Sequence, residues 1–138
     1  MPDDRQATTA ASIVAQWIRG VSIPVDLESD ASLLTAVDHI VTSLGDEVRV
    51  LGFGETLHGG EELLQIRNRI FQRLVEAHGY SAIAIESDFA RGHLVSEYVA
   101  GRGSNSYDAL IEPGFSYEFG QLRANRELIE WMRARNAD

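Results

Sequence analysis

Cysteine and lysine are both missing from these 138 residues, and proline occurs only three times. Without cysteine there is no disulfide, no thiolate nucleophile and no cysteine-based zinc site. Without lysine there is no Walker-type phosphate loop. No Gly-x-Ser-x-Gly elbow occurs, so a serine nucleophile of the common hydrolase kind has no seat. Positive charge is scarce: 12 arginines face 21 acidic residues, for a formal net charge of −9. That balance speaks against nucleic acid and anionic membrane as partners. No apolar run approaches the roughly 18 residues of a membrane span. The start, Met1-Pro2-Asp3-Asp4-Arg5-Gln6, lacks the charged, apolar, small-residue order of a secretory signal. Residues 1–9 are therefore read as a disordered start, and a cytoplasmic location is expected.

What is present suits one globular domain over residues 10–138, with 44% hydrophobic and 24% charged residues. Apolar residues at helical spacing predict a helix from Ala10 to Arg19, with Ile13, Val14, Trp17 and Ile18 as its stripe. A second helix is expected from Ala31 to Leu44, capped by Ser29 or Asp30 and stopped by Gly45. Its core stripe is Leu33, Leu34, Val37, Ile40, Val41 and Leu44, with His39 off it at the surface. A long helix should run from Glu61 to His78, burying Leu63, Leu64, Ile66, Ile70, Phe71, Leu74 and Val75, with Gly79 as its end. Further helices are expected through Leu94 to Val99, near Tyr107 to Ile111, and from Gln121 to Arg135. Between them lies the loop Gly101 to Ser106.

Two short apolar runs, Val48 to Phe53 and Ser81 to Ile85, read as buried parallel strands joined by the long helix. The fold class expected is thus α/β: helix-rich, with a short parallel sheet, flanking helices and a βαβ core. Ligands in such sheets bind outside the carboxyl ends of the strands. The first run leads into Gly54-Glu55-Thr56-Leu57-His58-Gly59-Gly60, and the second ends in Glu86. Each of these polar residues alone reads as an ordinary turn or strand-end residue. Together, two carboxylates and an imidazole at neighbouring strand ends form a cluster that packing does not ask for and acid-base chemistry does. Gly52-Phe53-Gly54 begins like a dinucleotide fingerprint, but Leu57 takes the third glycine position and Glu86 falls too far on. Glu55, His58 and Glu86 are also a possible ligand set for a divalent metal that would activate a water in the same place. His78 and His93 sit away from the glycine turn.

The same residues resemble the erythromycin esterase family. The likeness runs from Gly54, Glu55, His58 and Gly59 through Arg67 and Leu74-Val75-Glu76 to Ala82-Ile83-Ala84-Ile85-Glu86. It resumes in Glu130-Trp131-Met132-Arg133-Ala134-Arg135-Asn136. The resemblance implies hydrolysis of a carboxylic ester or a macrolide lactone, a small-molecule substrate and a link to antibiotic resistance. It implies His58 as general base, Glu55 and Glu86 as its orienting partners, and Arg67 as a partner of these carboxylates or of the oxyanion. Asp88 and Arg91 are weaker candidates for the substrate rim. The family works without an obligatory metal, so no cofactor is expected, with a divalent metal as the alternative. Family members continue into further strands and later histidines. The chain therefore reads as the N-terminal portion of a longer catalytic domain, inactive or weak alone. The non-enzymatic alternative is a truncated module whose exposed sheet edge recruits a second copy or a missing C-terminal half.

Overall fold

The computed structural model describes residues 4–54 and 59–137, with side chains described from residue 10 onward. The chain divides into two compact units, Met1–Ser43 and Leu44–Asp138. The first unit carries α1 (Asp4–Val21) and most of α2 (Asp30–Leu44). α1 extends past both ends of the Ala10 to Arg19 helix expected from periodicity. Its stripe is real but uncovered: Ile13, Val14, Trp17 and Ile18 are all exposed, Trp17 at 64%. α2 starts where its cap chemistry puts it. Ser29 Oγ accepts from the Ser32 N–H at 3.3 Å, satisfying one of the amides that a helix start leaves without a partner. Gly45 at φ 74° then takes the left-handed position that ends the helix. Leu33, Ala36 and Val37 are buried in α2, whereas Ile40 and Leu44, both read as core, are exposed. His39 is exposed, as expected.

The second unit consists of α3 (Glu61–His78), α4 (Phe89–Val99), 3-10 turns at Tyr107–Leu110 and Phe119–Gln121, and α5 (Arg123–Ala137). α3 has the bounds that the sequence predicts. Its buried positions Leu64, Asn68, Phe71 and Leu74 recur every three or four residues on one face. Gly79 at φ 73° stops it, with its N–H and that of Tyr80 both directed at the Leu74 carbonyl. Both α3 and α4 pack on α5. Against α3, Trp131 of α5 meets Phe71 edge to face at 6.0 Å. Against α4, Val95, Tyr98 and Val99 join Tyr107, Leu110, Phe115 and Ile129 in the core, with Ile85, Ile111, Phe119 and Met132 packed around them. Burial of each large apolar side chain there stabilises the unit by roughly 1.5–3 kcal/mol.

α5 also closes the end of α4. Asn136 Nδ2 donates to the Val99 carbonyl at 3.1 Å. Arg133 donates to the Tyr98 carbonyl and lies over the Tyr98 ring at 4.2 Å. Carbonyls that a helix C-terminus leaves open are thus satisfied by the neighbouring helix.

The parallel sheet and βαβ core are not found: the described residues contain helices and 3-10 turns but no strand. Val48 to Phe53 and Ser81 to Ile85 have irregular backbone. The Tyr80 hydroxyl, just before the second run, lies 3.5 Å from the Val48 carbonyl. The physical reason lies in coverage. A parallel ladder is stable when both faces are buried, and here Val50 is 84% exposed while Phe53 is 49% exposed. In the second run only Ile83 and Ile85 turn inward, and Ala82 and Ala84 face out. The two-residue alternation of a strand is present locally, without a paired neighbour. The fold is helical, so an argument that places residues at the ends of strands no longer applies.

Candidate functional site

α3 and α5 meet through a polar clamp set in an otherwise apolar contact. Glu61, in the first turn of α3, accepts from the N–H groups of Arg123 at 2.6 Å and Ala124 at 2.9 Å. These amides open α5, where the positive end of the helix dipole favours a carboxylate. Two turns further along α3, Asn68 Nδ2 donates to the Ala124 carbonyl at 2.7 Å. Ala124, fully buried at 0% exposure, is therefore held at both its amide and its carbonyl.

Arg67 sits beside this clamp. Its Nη2 donates to Asn68 Oδ1 and to Asn125 Oδ1, each at 2.8 Å, and its Nε reaches Asn68 Oδ1 at 3.3 Å. Asn125 Nδ2 in turn donates to the Phe119 carbonyl at 2.9 Å. Asn68 and Asn125 are the buried polar residues among those described, 5% and 3% exposed. No buried side-chain nitrogen or oxygen described here lacks a partner, which is the condition for such a network to stabilise rather than strain.

The segment that follows Glu86 is fixed to the loop before α5. Asp88 caps α4, its Oδ1 accepting from the Ala90 and Arg91 amides at 2.9 and 3.1 Å. The Asp88 N–H donates to Ser116 Oγ, and the Ser116 N–H donates to Ser87 Oγ. Arg91 Nη1 donates to the carbonyls of Glu112 and Phe115. The same loop holds Tyr117 and Glu118 at φ 53° and 60°, left-handed conformations that cost a side-chain-bearing residue of order 1 kcal/mol or more each. An open cleft of about 320 Å³ lies along it, lined by Arg91, Glu112, Ser116, Tyr117, Glu118 and Gln121 among others.

Further staples make this loop rigid. The buried Tyr107 hydroxyl donates to the Gly120 carbonyl at 3.0 Å. Burial pushes the Tyr107 phenol up to about 12, against the opposing pull of Arg126, whose guanidinium lies 4.5 Å over the ring. Gly120 itself is required by space, since a Cβ there would come 2.3 Å from the Ile111 carbonyl oxygen. The loop thereby ties Ser87 and Asp88, next to Glu86, to Phe119, which holds Asn125 and through it Arg67.

Of the residues expected from the sequence, Glu55 and His58 lie outside the described residues. Glu86 is exposed in the bend before α4, and Arg67 is half-buried on α3. Asp88 and Arg91, expected at a substrate rim, serve as helix cap and loop staple, with Arg91 also on the cleft wall. Among the described residues, no group of three His, Asp or Glu side chains is placed to hold a metal ion. Sequence reasoning missed Glu61, Asn68, Asn125 and Tyr107. Asn68 and Asn125 carried a visible signal, because each interrupts the apolar face of its helix, between Leu64 and Phe71 and next to Leu128 and Ile129.

The family model described as Erythromycin esterase matches residues 75–138. That span contains Glu86, Asp88, Arg91 and Asn125, and begins after Arg67. Among curated proteins, the erythromycin esterase type II of Escherichia coli is 24% identical over 90 residues, which cover 65% of this chain and 21% of that protein. The match thus spans about one fifth of that relative's length. No solved structure matches. No helix among the described residues is long and apolar enough to cross a membrane.

Proposed function

We infer, on the premise that the chain belongs to the erythromycin esterase family, that it forms part of a hydrolase acting on carboxylic esters or macrolide lactones. The family match over residues 75–138 carries this reading, since it takes in Glu86 and the whole of α5. In the proposed reaction His58 accepts a proton from water as the water oxygen bonds to the ester carbonyl carbon. The tetrahedral intermediate then expels the alcohol oxygen, which takes up the proton, leaving a carboxylic acid and an alcohol. Imidazole suits the task because its ordinary pKa lies near working pH, and a positioned base contributes about 10²- to 10⁴-fold.

Glu55 and Glu86 are assigned to orient His58 and the water, and a carboxylate beside the ring favours the imidazolium that forms. Arg67 is assigned to the developing oxyanion. Its anchoring by Asn68 and Asn125 supports that role, because a donor already in place loses nothing to reorganisation at the moment of reaction. The reaction as written needs no resident metal. The experiment is an ester and macrolactone panel assayed with a family-length protein carrying this segment and with the 138-residue chain alone. Hydrolysis by the longer protein, weak or absent in the short chain, is expected. Absence of hydrolysis from both contradicts the reading.

A further inference from the structure

Arg67 is gripped by two carboxamides whose orientation is fixed from behind. Asn68 Nδ2 donates to the Ala124 carbonyl, and Asn125 Nδ2 donates to the Phe119 carbonyl. Each amide group therefore has only its oxygen to offer Arg67, and both oxygens lie 2.8 Å from Nη2. The added contact from Nε to Asn68 Oδ1 at 3.3 Å fixes the guanidinium plane. Helix packing alone does not ask for this. Both asparagines stand on the apolar contact of α3 with α5, where burying an amide costs free energy that a leucine would not incur. A carboxylate in either place would also hold Arg67, but would cancel its charge. Carboxamide oxygens orient the cation and add no charge of their own.

We propose that Asn68 and Asn125 form a guanidinium socket: they are positioning residues that set Arg67 for the oxyanion of the hydrolytic reaction. The catalytic half of this statement rests on the esterase reading, whereas the socket itself does not. Because Asn125 also holds the Phe119 carbonyl, the socket is built from three separate pieces of the chain: α3, α5 and the loop before α5.

The socket is tested in the 138-residue chain with Arg67→Ala. Millimolar methylguanidinium should bind this variant saturably and raise its melting temperature, with methylammonium as the control cation. The effect should vanish in Arg67→Ala combined with Asn125→Leu, a replacement that keeps the helix contact filled. Melting without ligand shows that each variant is folded. No saturable response in Arg67→Ala, or a response that survives Asn125→Leu, overturns the socket.

The positioning role is read in a family-length protein by a double-mutant cycle on kcat. Asn125→Ala should lower kcat about 10- to 100-fold, the cost expected of a misplaced catalytic group, with KM little changed. It should cause no further loss in an Arg67→Ala background. Arg67→Lys should not restore activity, since an ammonium lacks the planar fork. Additive losses overturn the positioning role. Absence of any ester hydrolysis removes the esterase reading and the catalytic half with it, while the methylguanidinium titration still decides the socket.

Discussion

Tyr107 gives the sharpest quantitative handle on the loop that joins the Glu86 bend to the Arg67 clamp. Its side chain is 2% exposed, and its hydroxyl donates to the Gly120 carbonyl at 3.0 Å. Replacement by phenylalanine keeps the ring and removes the donor. At neutral pH this should cost about 0.5–1.5 kcal/mol for the bond, rising toward 3 kcal/mol where the carbonyl stays unpaired. The second signature is in alkali. Burial raises the folded-state pKa to about 12, whereas the unfolded phenol titrates near 10. Because the folded value is the higher one, the stabilisation from the neutral phenol is whole below about pH 10. It is lost as the pH rises toward 12, as the unfolded chain gives up its proton first. That difference corresponds to roughly 3 kcal/mol. Urea denaturation of the wild type and Tyr107→Phe from pH 8 to 12 should therefore show a difference that is constant up to about pH 9.5 and then shifts against the wild type by about 2 kcal/mol, enough to close or reverse it. Parallel curves through pH 12 would refute the assignment of a buried, hydrogen-bonded phenol.

Gly120→Ala places a methyl group 2.3 Å from the Ile111 carbonyl oxygen; main chain must move, and denaturation should show a loss of about 3 kcal/mol or more. Glu61→Ala removes the carboxylate that accepts from the Arg123 and Ala124 amides. Its cost should be about 1 kcal/mol in the same assay, partly screened by salt. Chelation followed by metal analysis should leave the hydrolytic rate of a family-length protein unchanged, and loss of activity that zinc or manganese restores would reassign Glu55, His58 and Glu86 as ligands.

What the sequence made legible was local. α3 could be read to its bounds because Leu64, Phe71 and Leu74 recur at helical spacing and Gly79 supplies the left-handed stop. The cap of α2 at Ser29 was equally open to reading. The runs at Val48 and Ser81 were not, because an apolar pentapeptide reports its wish for burial and says nothing of whether a paired neighbour exists. In Ile85 that wish is met by packing on the helical core, without a ladder. The stripe of α1 makes the related point, since Ile13 and Trp17 have helical spacing and remain exposed.

Among the site residues, Arg67 could be picked out by its family resemblance, but its seat could not. Asn125 lies 58 positions away along the chain, and only the packing of α5 on α3 brings its oxygen to the guanidinium. In the sequence Glu61 stands only as the start of its own helix. It turned out to cap a different one, a role that depends on tertiary structure alone.

The most direct test of the hydrolase reading is the rate of ester or macrolactone hydrolysis by a family-length protein carrying this segment, compared with its His58→Ala variant at matched folding stability. Loss of the general base should lower kcat by about 10²-fold or more, with the substrate still bound. An undiminished rate in His58→Ala would remove His58 as the base and contradict the mechanism proposed here.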